Sequence, residues 1–471
     1  MFGLGLGLTS LLIVCLLAAC IFEFINGFHD TANAVATVIY TNSLKPQIAV
    51  IWSGFMNFVG VYVGGIAVAM GIVNLLPISA LVDQNIYHSL SMILSLIFTA
   101  IIWNLGTWYY GIPCSSTHTL IGSIFGVGLA YSFLPGNTAV ALNWLKVQDV
   151  GLSLLISPVI GFGLAMGLMV LLKKIIKSKK IFEEPSHKKP PPLWIRSLLI
   201  LTCTSVSFSH GSNDGQKGIG LMMIILIGIV PGYFALNHQK TPEQLLMKVN
   251  SIHQFTNSLE KVSLSDEDKL NVQLINIKLD SLYSYLNGEK EFNHISKEKN
   301  FLIRKEILLV SKVATNILSK KIDNSEIRLS KEKRSYLQSE IKDLKGFTEY
   351  AIWWVILLIS LSLGLGTMIG WKRIVVTVGE KIGKTPLTYA QGASAEIIAA
   401  ITIASSSFIG LPVSTTHVLS SGVAGVMVEK NGFKNLRKKT VKNILIAWLV
   451  TIPVTIILSS GLFLLFRVIF K

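Results

Sequence analysis

Charged side chains are scarce in this chain, 14% of residues against 51% hydrophobic, where an ordinary soluble domain carries about 25%. Lipid is therefore its main solvent, and a mean hydropathy of +0.57 agrees. Cysteine is rarer still: Cys15, Cys20, Cys114 and Cys203 all lie inside apolar stretches without metal-ligand spacing, so they read as small buried hydrophobes and say little about redox compartment. No motif calls for a cofactor. The excess of 42 basic over 26 acidic residues does not point to nucleic acid, because the basic residues gather at the ends of apolar runs, in 173–189, 372–384 and 430–442. That is the bias of cytoplasmic loops. Residues 74–88 hold no Lys or Arg and 131–149 hold one, which places these loops on the opposite side.

What the sequence has in abundance is apolar runs near 20 residues, each about the length that spans ~30 Å of hydrocarbon. We count about ten to twelve of them. The first, Leu4 to Phe24, has no basic residue ahead of it and no small-residue cleavage site, and it reads as a retained transmembrane helix. The fold class expected is an all-α polytopic membrane protein in a cell membrane.

The chain also repeats. Asn26-Gly-Phe-His-Asp-Thr-Ala-Asn33 and Gly111-Ile-Pro-Cys-Ser-Ser-Thr-His118 in the first half match His210-Gly-Ser-Asn-Asp-Gly-Gln-Lys217 and Gly410-Leu-Pro-Val-Ser-Thr-Thr-His417 in the second. From Asp30 to His118 is 88 residues and from Asp214 to His417 is 203, so about 115 residues are inserted in the second half. Composition locates them at 237–349, charged, poor in Gly, and holding 16 of the 26 acidic residues. Helical spacing in Leu270/Leu274/Ile277/Leu279/Leu282 and Ile303/Ile307/Leu308 predicts a small helical soluble domain; a disordered linker is the bland alternative, opposed by scarce Gly and Pro. The expected divisions are a first membrane repeat at 1–172, a basic cytoplasmic linker at 173–196, the start of the second repeat at 197–236, the insert at 237–349, and the remaining repeat at 350–471. If Arg196 and Lys372 are both cytoplasmic and 351–370 crosses once, the insert lies outside. The stretch 197–234 then crosses an odd number of times, with one part broken or re-entrant. Matched, Gly-interrupted polar segments in two repeats are the sequence signature of a secondary transporter with a midplane site.

Ten acidic residues remain outside the insert, and Glu23, Asp30, Asp214 and Glu396 lie in apolar surroundings. A carboxylate at the bilayer centre costs on the order of 3 kcal/mol, so such groups face a wet cavity or partners. A structural ion pair explains Glu23 or Glu396 singly; it explains the matched Asp30 and Asp214 less well. Around both aspartates Gly, Ala, Asn and Ser permit close backbone approach and non-helical turns, whose N–H groups bind anions and whose carbonyls bind cations. The second motif pair places Pro113 and Pro412 before Ser115-Ser116-Thr117-His118 and Ser414-Thr415-Thr416-His417, helix starts rich in short donors suited to a tetrahedral oxyanion. Ordinary N-caps with packing histidines are the plain reading of either copy alone. Lys217 stands where its repeat mate is Asn33. A fixed ammonium beside Asp214 can replace a bound sodium ion and leave coupling to protons; a simple Lys217–Asp214 ion pair is the alternative.

The segments 26–34, 209–220, 389–396 and 410–417 resemble the inorganic phosphate transporter (Pit) family, close to its bacterial low-affinity members. This resemblance implies two repeats of inverted topology with broken or re-entrant helices, a homodimer in the bacterial inner membrane, and phosphate moved with a coupling cation. It implies that Asn26, Asp30, Asn33, Asn213 and Asp214 form the substrate and coupling-ion region, and that Ser115, Ser116, Thr117, Ser414, Thr415 and Thr416 cradle phosphate. Asp30, Asp214, Lys217 and Glu396 are the expected coupling residues. Gly-Gln-Lys after the second aspartate is similar to the bacterial members, which are associated with proton coupling and with neutral complexes of phosphate with Mg or another divalent metal. The metal's ligands are not assigned. A sodium-coupled phosphate carrier, a sulfate carrier, an anion channel and an intramembrane hydrolase using the two aspartates are the rival readings; an enzyme is the one set aside.

Overall fold

The computed structural model describes residues 4–76, 86–134, 142, 144–186, 189–259, 266–319, 331–369 and 382–470, and within these not the side chains of Asn33, Leu145 and Asn431. The basic run beginning at 372 falls largely outside these residues, as do parts of the loops at 74–88 and 131–149. Contacts divide the chain into two compact units: Gly5–Ile225 with Ala351–Lys471, and one holding Leu226–Tyr350.

The first unit is built from α1 (Leu6–Tyr40), α2 (Pro46–Val63), α3 (Ala67–Val73), α4 (Ile86–Tyr109), α5 (Ser116–Ser132), α6 (Trp144–Ile175), α7 (Leu193–Ile229), α13 (Trp353–Thr367), α14 (Tyr389–Ile409), α15 (Thr415–Asn431) and α16 (Lys438–Ile469). The second holds the short α8 (Pro231–Phe234) and then α9 (Pro242–Leu259), α10 (Asp266–Leu286), α11 (Lys297–Ser319) and α12 (Lys331–Lys345). Among the described residues no strand ladder forms; one isolated bridge joins Gly383 and Leu436. Among the described residues six helices, α1, α2, α4, most of α6, α14 and α16, are long and apolar enough to cross a membrane. α13 is apolar but shorter, and α5 and α15, at 17 residues each, reach only ~26 Å at 1.5 Å per residue. The protein is thus an all-α, multi-pass membrane protein.

The two halves pack alike. α5 lies against α4 and α16, and α15 lies against α14 and α6, so the long helix that follows each short one in sequence packs on the other half. Small residues allow close approach: a Cβ on Gly27 would stand 2.4 Å from Leu363 O, and one on Gly211 would stand 2.2 Å from Asn57 O. Within 197–234 the chain is one continuous helix to Ile229, since α7 has 37 residues and is ~55 Å long, and it breaks only at Val230, before α8.

The 226–350 unit is helical rather than a linker. α10 packs on α9 and α11, and α12 on α11 and α9, around Leu245, Ile252, Leu279, Leu282, Ile307 and Leu344. The sequence pattern misplaced one face: Leu270 and Ile277 are 66% and 59% exposed, while Val272, Ile275, Leu279, Leu282 and Leu286 form the buried seam. Those five repeat in steps of three and four, the period that keeps a helix face inward. Arg304 in α11 is fully buried and donates from Nη1 to Ala235 O (2.8 Å) and Thr348 O (2.7 Å), tying the unit's two connecting ends together. Tyr350 OH donates to Phe234 O, and Asn237 N to Phe347 O, across the same ends.

Candidate functional site

Asp30 sits on α1 and Asp214 on α7, both without exposure to solvent beyond 1%. The expected non-helical turns around them are absent: both helices run unbroken through their motifs. The breaks fall at the proline motifs instead. Gly111 (φ 64°) and Gly410 (φ 77°) take left-handed backbone that a side chain would strain, and Pro113 and Pro412 follow before α5 and α15 begin. Non-helical backbone at membrane depth is tolerated where protein or a cavity surrounds it. Ser115 and Ser414 are the N-caps, accepting from His118 N and His417 N at 3.2 Å each, so their oxygens serve the helix starts.

The hydroxyls one and two residues further on reach the carboxylates. Ser116 Oγ donates to Asp30 Oδ2 (3.2 Å) and stands 3.4 Å from Asp214 Oδ2. Thr416 Oγ1 donates to Asp30 Oδ1. Its repeat mate Thr117 donates to Val413 O (2.9 Å) and accepts from Lys217 Nζ. The ammonium also lies 2.7 Å from Asp214 Oδ1 and 3.5 Å from Val413 O. Lys217 therefore holds the ligands a small cation would have: a carboxylate, a hydroxyl and a carbonyl. Its pairing with Asp214 is a fact of the structure, and its burial at 1% exposure removes water as a competitor.

The remaining expected residues divide. Asn213 braces the second break, donating to Ser407 Oγ (3.0 Å) while Val413 N donates to its Oδ1 (3.5 Å). Asn26 donates to Glu23 Oε2 (3.2 Å) on its own helix. Thr415 is buried beside its neighbours. Glu396 occupies a separate niche, where Thr202 donates to Oε2 and Oε1 has no hydrogen-bond partner. The side chain of Asn33 lies outside the described residues.

Four contributors escaped sequence reading. His210 occupies the position of Asn26 in the repeat, and its Nε2 stands 3.7 Å from Asp30 Oδ2 and 3.5 Å from Asp214 Oδ2. That substitution within a matched motif was the available signal. Asn57 on α2 and Thr367 on α13 hold the ring from behind, through His210 Nδ1 to Asn57 Oδ1 (2.7 Å) and Asn57 Nδ2 to Thr367 Oγ1 (3.1 Å). No motif surrounds either residue. His29 Nδ1 approaches Asp30 Oδ1 at 3.9 Å. Beside this centre the rings of His118 and His417 lie 4.3 Å apart, and His417 stacks on Trp448 at 3.8 Å.

Two helix–break–helix motifs that deliver hydroxyl donors to paired carboxylates inside a multi-pass bundle define the class of membrane solute carriers. The comparisons place the chain within that class: the Phosphate transporter family matches residues 26–459, and the chain belongs to it. It is 43% identical to the "Low-affinity inorganic phosphate transporter" of Buchnera aphidicola subsp. Acyrthosiphon pisum, over 97% of this chain and 96% of that protein. It is 40% identical to the "Low-affinity inorganic phosphate transporter PitA" of Escherichia coli strain K12, over 98% and 97%. A solved structure titled "The sodium-dependent phosphate transporter" shares the fold, with a TM-score of 0.56 at 20% identity, over 98% of this chain and 100% of the other. Members of the family are transporters rather than enzymes.

Proposed function

We propose that the chain is a low-affinity inorganic phosphate carrier of the bacterial inner membrane that takes phosphate as a neutral divalent metal complex together with a proton. Charge balance at the buried centre carries this reading. Two aspartates and one ammonium leave a fixed charge of minus one when His210 is neutral. A metal–phosphate complex adds none, and one proton cancels the remainder, so the loaded site turns through the low-dielectric barrier without net charge. Lys217 supplies permanently what a sodium ion would supply, which favours protons over sodium. That proton belongs at the centre itself, on His210 or one of the aspartates, and Glu396, in its separate niche with one carboxylate oxygen lacking a hydrogen-bond partner, stands on its route.

Phosphate is cradled at the starts of α5 and α15 by their N–H dipoles and by Ser116, Thr117, Thr415 and Thr416; Ser115 and Ser414 shape those starts, and Asn213 fixes the second. Asn26 and Asn33 act on the α1 side. The repeats are related by inverted topology, the assembly is a homodimer, and the insert at 237–349 lies on the non-cytoplasmic side. Relatives named as low-affinity inorganic phosphate transporters support the substrate. Sulfate or sodium coupling is the second reading, since dipolar coordination alone does not separate tetrahedral anions. Purified protein in liposomes, given radiolabelled phosphate with pH, sodium and magnesium varied independently, decides between them. Uptake driven by an inward proton gradient without sodium is expected; strict sodium dependence overturns proton coupling, and conductance without coupling makes the protein a channel.

A further inference from the structure

Glu23 stands seven residues before Asp30 in α1, and Thr37 seven residues after it. Steps of seven keep to one helical face, so the three line the same side of α1 at intervals of about 10 Å. α7 runs along α1 in the opposite direction. Near its start Arg196 Nε donates to Ser43 O, just past the end of α1 (2.8 Å). Further along, His210 meets Asp30, and beyond that a Cβ on Gly218 would run into Glu23 Cγ and Oε1. Glu396 belongs to the Arg196 end: Thr202 of α7 donates to it, and a Cβ on Gly392, one turn before it in α14, would run into Thr37. Arg196 and the basic run at 173–189 mark that end as cytoplasmic. Glu23 and Glu396 therefore flank the centre on opposite sides, Glu23 on the outer one.

Glu23 is fully buried and short of donors. Its Oε2 accepts from Asn26 Nδ2 (3.2 Å), while Glu23 Oε1 and Asn26 Oδ1, both buried, have no hydrogen-bond partner. Lys217, His210 and Asp214 of α7 are the charged groups that act on it, and Cys20 is the titratable neighbour one turn back on α1. The Lys217 ammonium is already held by Asp214 and Thr117. α2, α4 and α13, which pack on α1, contain no Asp, Glu, Lys or Arg. From α14 and α15 come Glu396 in its own niche, His417 stacked on Trp448, and Glu429 and Lys430, paired with Lys173 and Glu184. An ionised carboxylate held by one hydrogen bond in such a pocket is costly. A proton on Oε1 removes the charge and supplies a donor where acceptors are in excess. Packing does not demand an acid here: at Ser207, the repeat mate of Glu23, a hydroxyl settles on Ser53 Oγ (2.8 Å) and Cys203 O (2.7 Å).

We infer that Glu23 is the outer proton-loading carboxyl of the carrier, taking the coupled proton on Oε1 from the non-cytoplasmic side and releasing it to the centre. Only O–H and N–H bonds change: Glu23 returns to carboxylate as His210 or an aspartate gains the proton. The interval of about 10 Å along α1 exceeds hydrogen-bond reach, so water admitted when the site opens outward carries the proton across it. Glu23, the centre and Glu396 then form a route through most of the bilayer, with one carboxylate on each side. The role rests on the proton-coupled carrier reading; the proton on Glu23 rests on the geometry of its pocket.

Two measurements on the full-length protein test this. Infrared difference spectra of the purified protein should show, near neutral pH, a carboxylic acid carbonyl band that Glu23→Gln removes. In sodium-free liposomes, uptake of radiolabelled phosphate driven by an inward proton gradient should fall about tenfold or more in Glu23→Gln, while phosphate exchange at equal pH stays within about threefold. Glu23→Asp, which keeps a carboxyl, should retain gradient-driven uptake. Unchanged gradient-driven uptake in Glu23→Gln overturns the inference, and so does exchange that falls as far as uptake, because Glu23 would then serve structure or binding. A wild type whose uptake ignores the proton gradient sinks the coupling reading and the role with it. Proton-driven uptake without a Glu23 band sinks Glu23 alone.

Discussion

Two Lys–Asp pairs in this chain have nearly the same length and opposite meanings. Lys217 lies 2.7 Å from Asp214 in the membrane unit with neither side chain more than 1% exposed, while Lys248 lies 2.6 Å from Asp343 in the 226–350 unit with side chains 29% and 49% exposed. Distance does not separate them; solvent does. The exposed pair exchanges contacts with water at little cost either way. The buried pair has no such exchange, so removing one member strands the other charge in a low dielectric. A buried pair is therefore weak evidence for stability, and its place beside the second aspartate ties it to the site.

The comparison breaks first at Asp214. Asp214→Asn strands Lys217 and should cost about 3–5 kcal/mol, with initial rates of radiolabelled phosphate uptake in liposomes falling on the order of 100-fold or more. Asp30→Asn should lose uptake to a similar extent but leave Lys217 paired, so its thermal unfolding should shift less; equal destabilisation by the two would mean that the halves are not distinguished by the ammonium. Next in size is Lys217→Asn, which restores the residue of the first repeat. Uptake should fall about tenfold in sodium-free medium and recover on adding sodium, an outcome worth ~1.4 kcal/mol; no response to sodium would reduce Lys217 to a structural ion pair.

A third charge sharpens the contrast from the other unit. Arg304 is as buried as Lys217, and burial pushes its guanidinium down to about 10, yet its contacts are backbone carbonyls at the unit's two ends. Arg304→Met removes two charge-assisted hydrogen bonds and should lower the stability of 226–350 by about 2–4 kcal/mol, seen as faster amide exchange in α9 to α12 of the full-length protein. Smallest of all is Lys248→Met, expected to cost about 0.2–1 kcal/mol. The Lys248 hydrogen bond holds the Asp343 carboxyl below its ordinary range, and that same bond raises Lys248. A depressed acid stabilises above its unfolded pKa and loses that as pH falls through the folded value; a raised base stabilises below its unfolded pKa and loses it as pH rises through the folded value. The pair's contribution should therefore be flat from about pH 4 to about pH 10 and fade at both ends, whereas Lys248→Met should abolish that pH dependence in amide exchange.

The centre was legible in sequence because charge is so scarce. Asp30 and Asp214 stand out against apolar surroundings, and the proline-led hydroxyl clusters recur at matched places. The helical path was less so. Gly and Asn around the aspartates signal small side chains, and small side chains serve close packing of a straight helix as readily as a turn; Gly27 and Gly211 are used for packing. Ser116 meeting both aspartates, or Asn57 and Thr367 orienting His210, joins residues up to 310 positions apart. No local pattern encodes such a meeting. In the 226–350 unit apolar residues on both faces of α10 made the buried seam ambiguous until its neighbours were placed.

The central claim is that a permanent ammonium replaces a sodium ion, so that one proton accompanies each metal–phosphate complex. The direct measurement is the ratio of protons to phosphate entering sodium-free liposomes, with radiolabel and internal pH followed together and Glu396→Gln run beside the wild type. About one proton per phosphate is predicted for the wild type, with coupling lost in the variant while phosphate exchange across the membrane continues. Phosphate entry without protons, or entry only when sodium is present, would contradict the account.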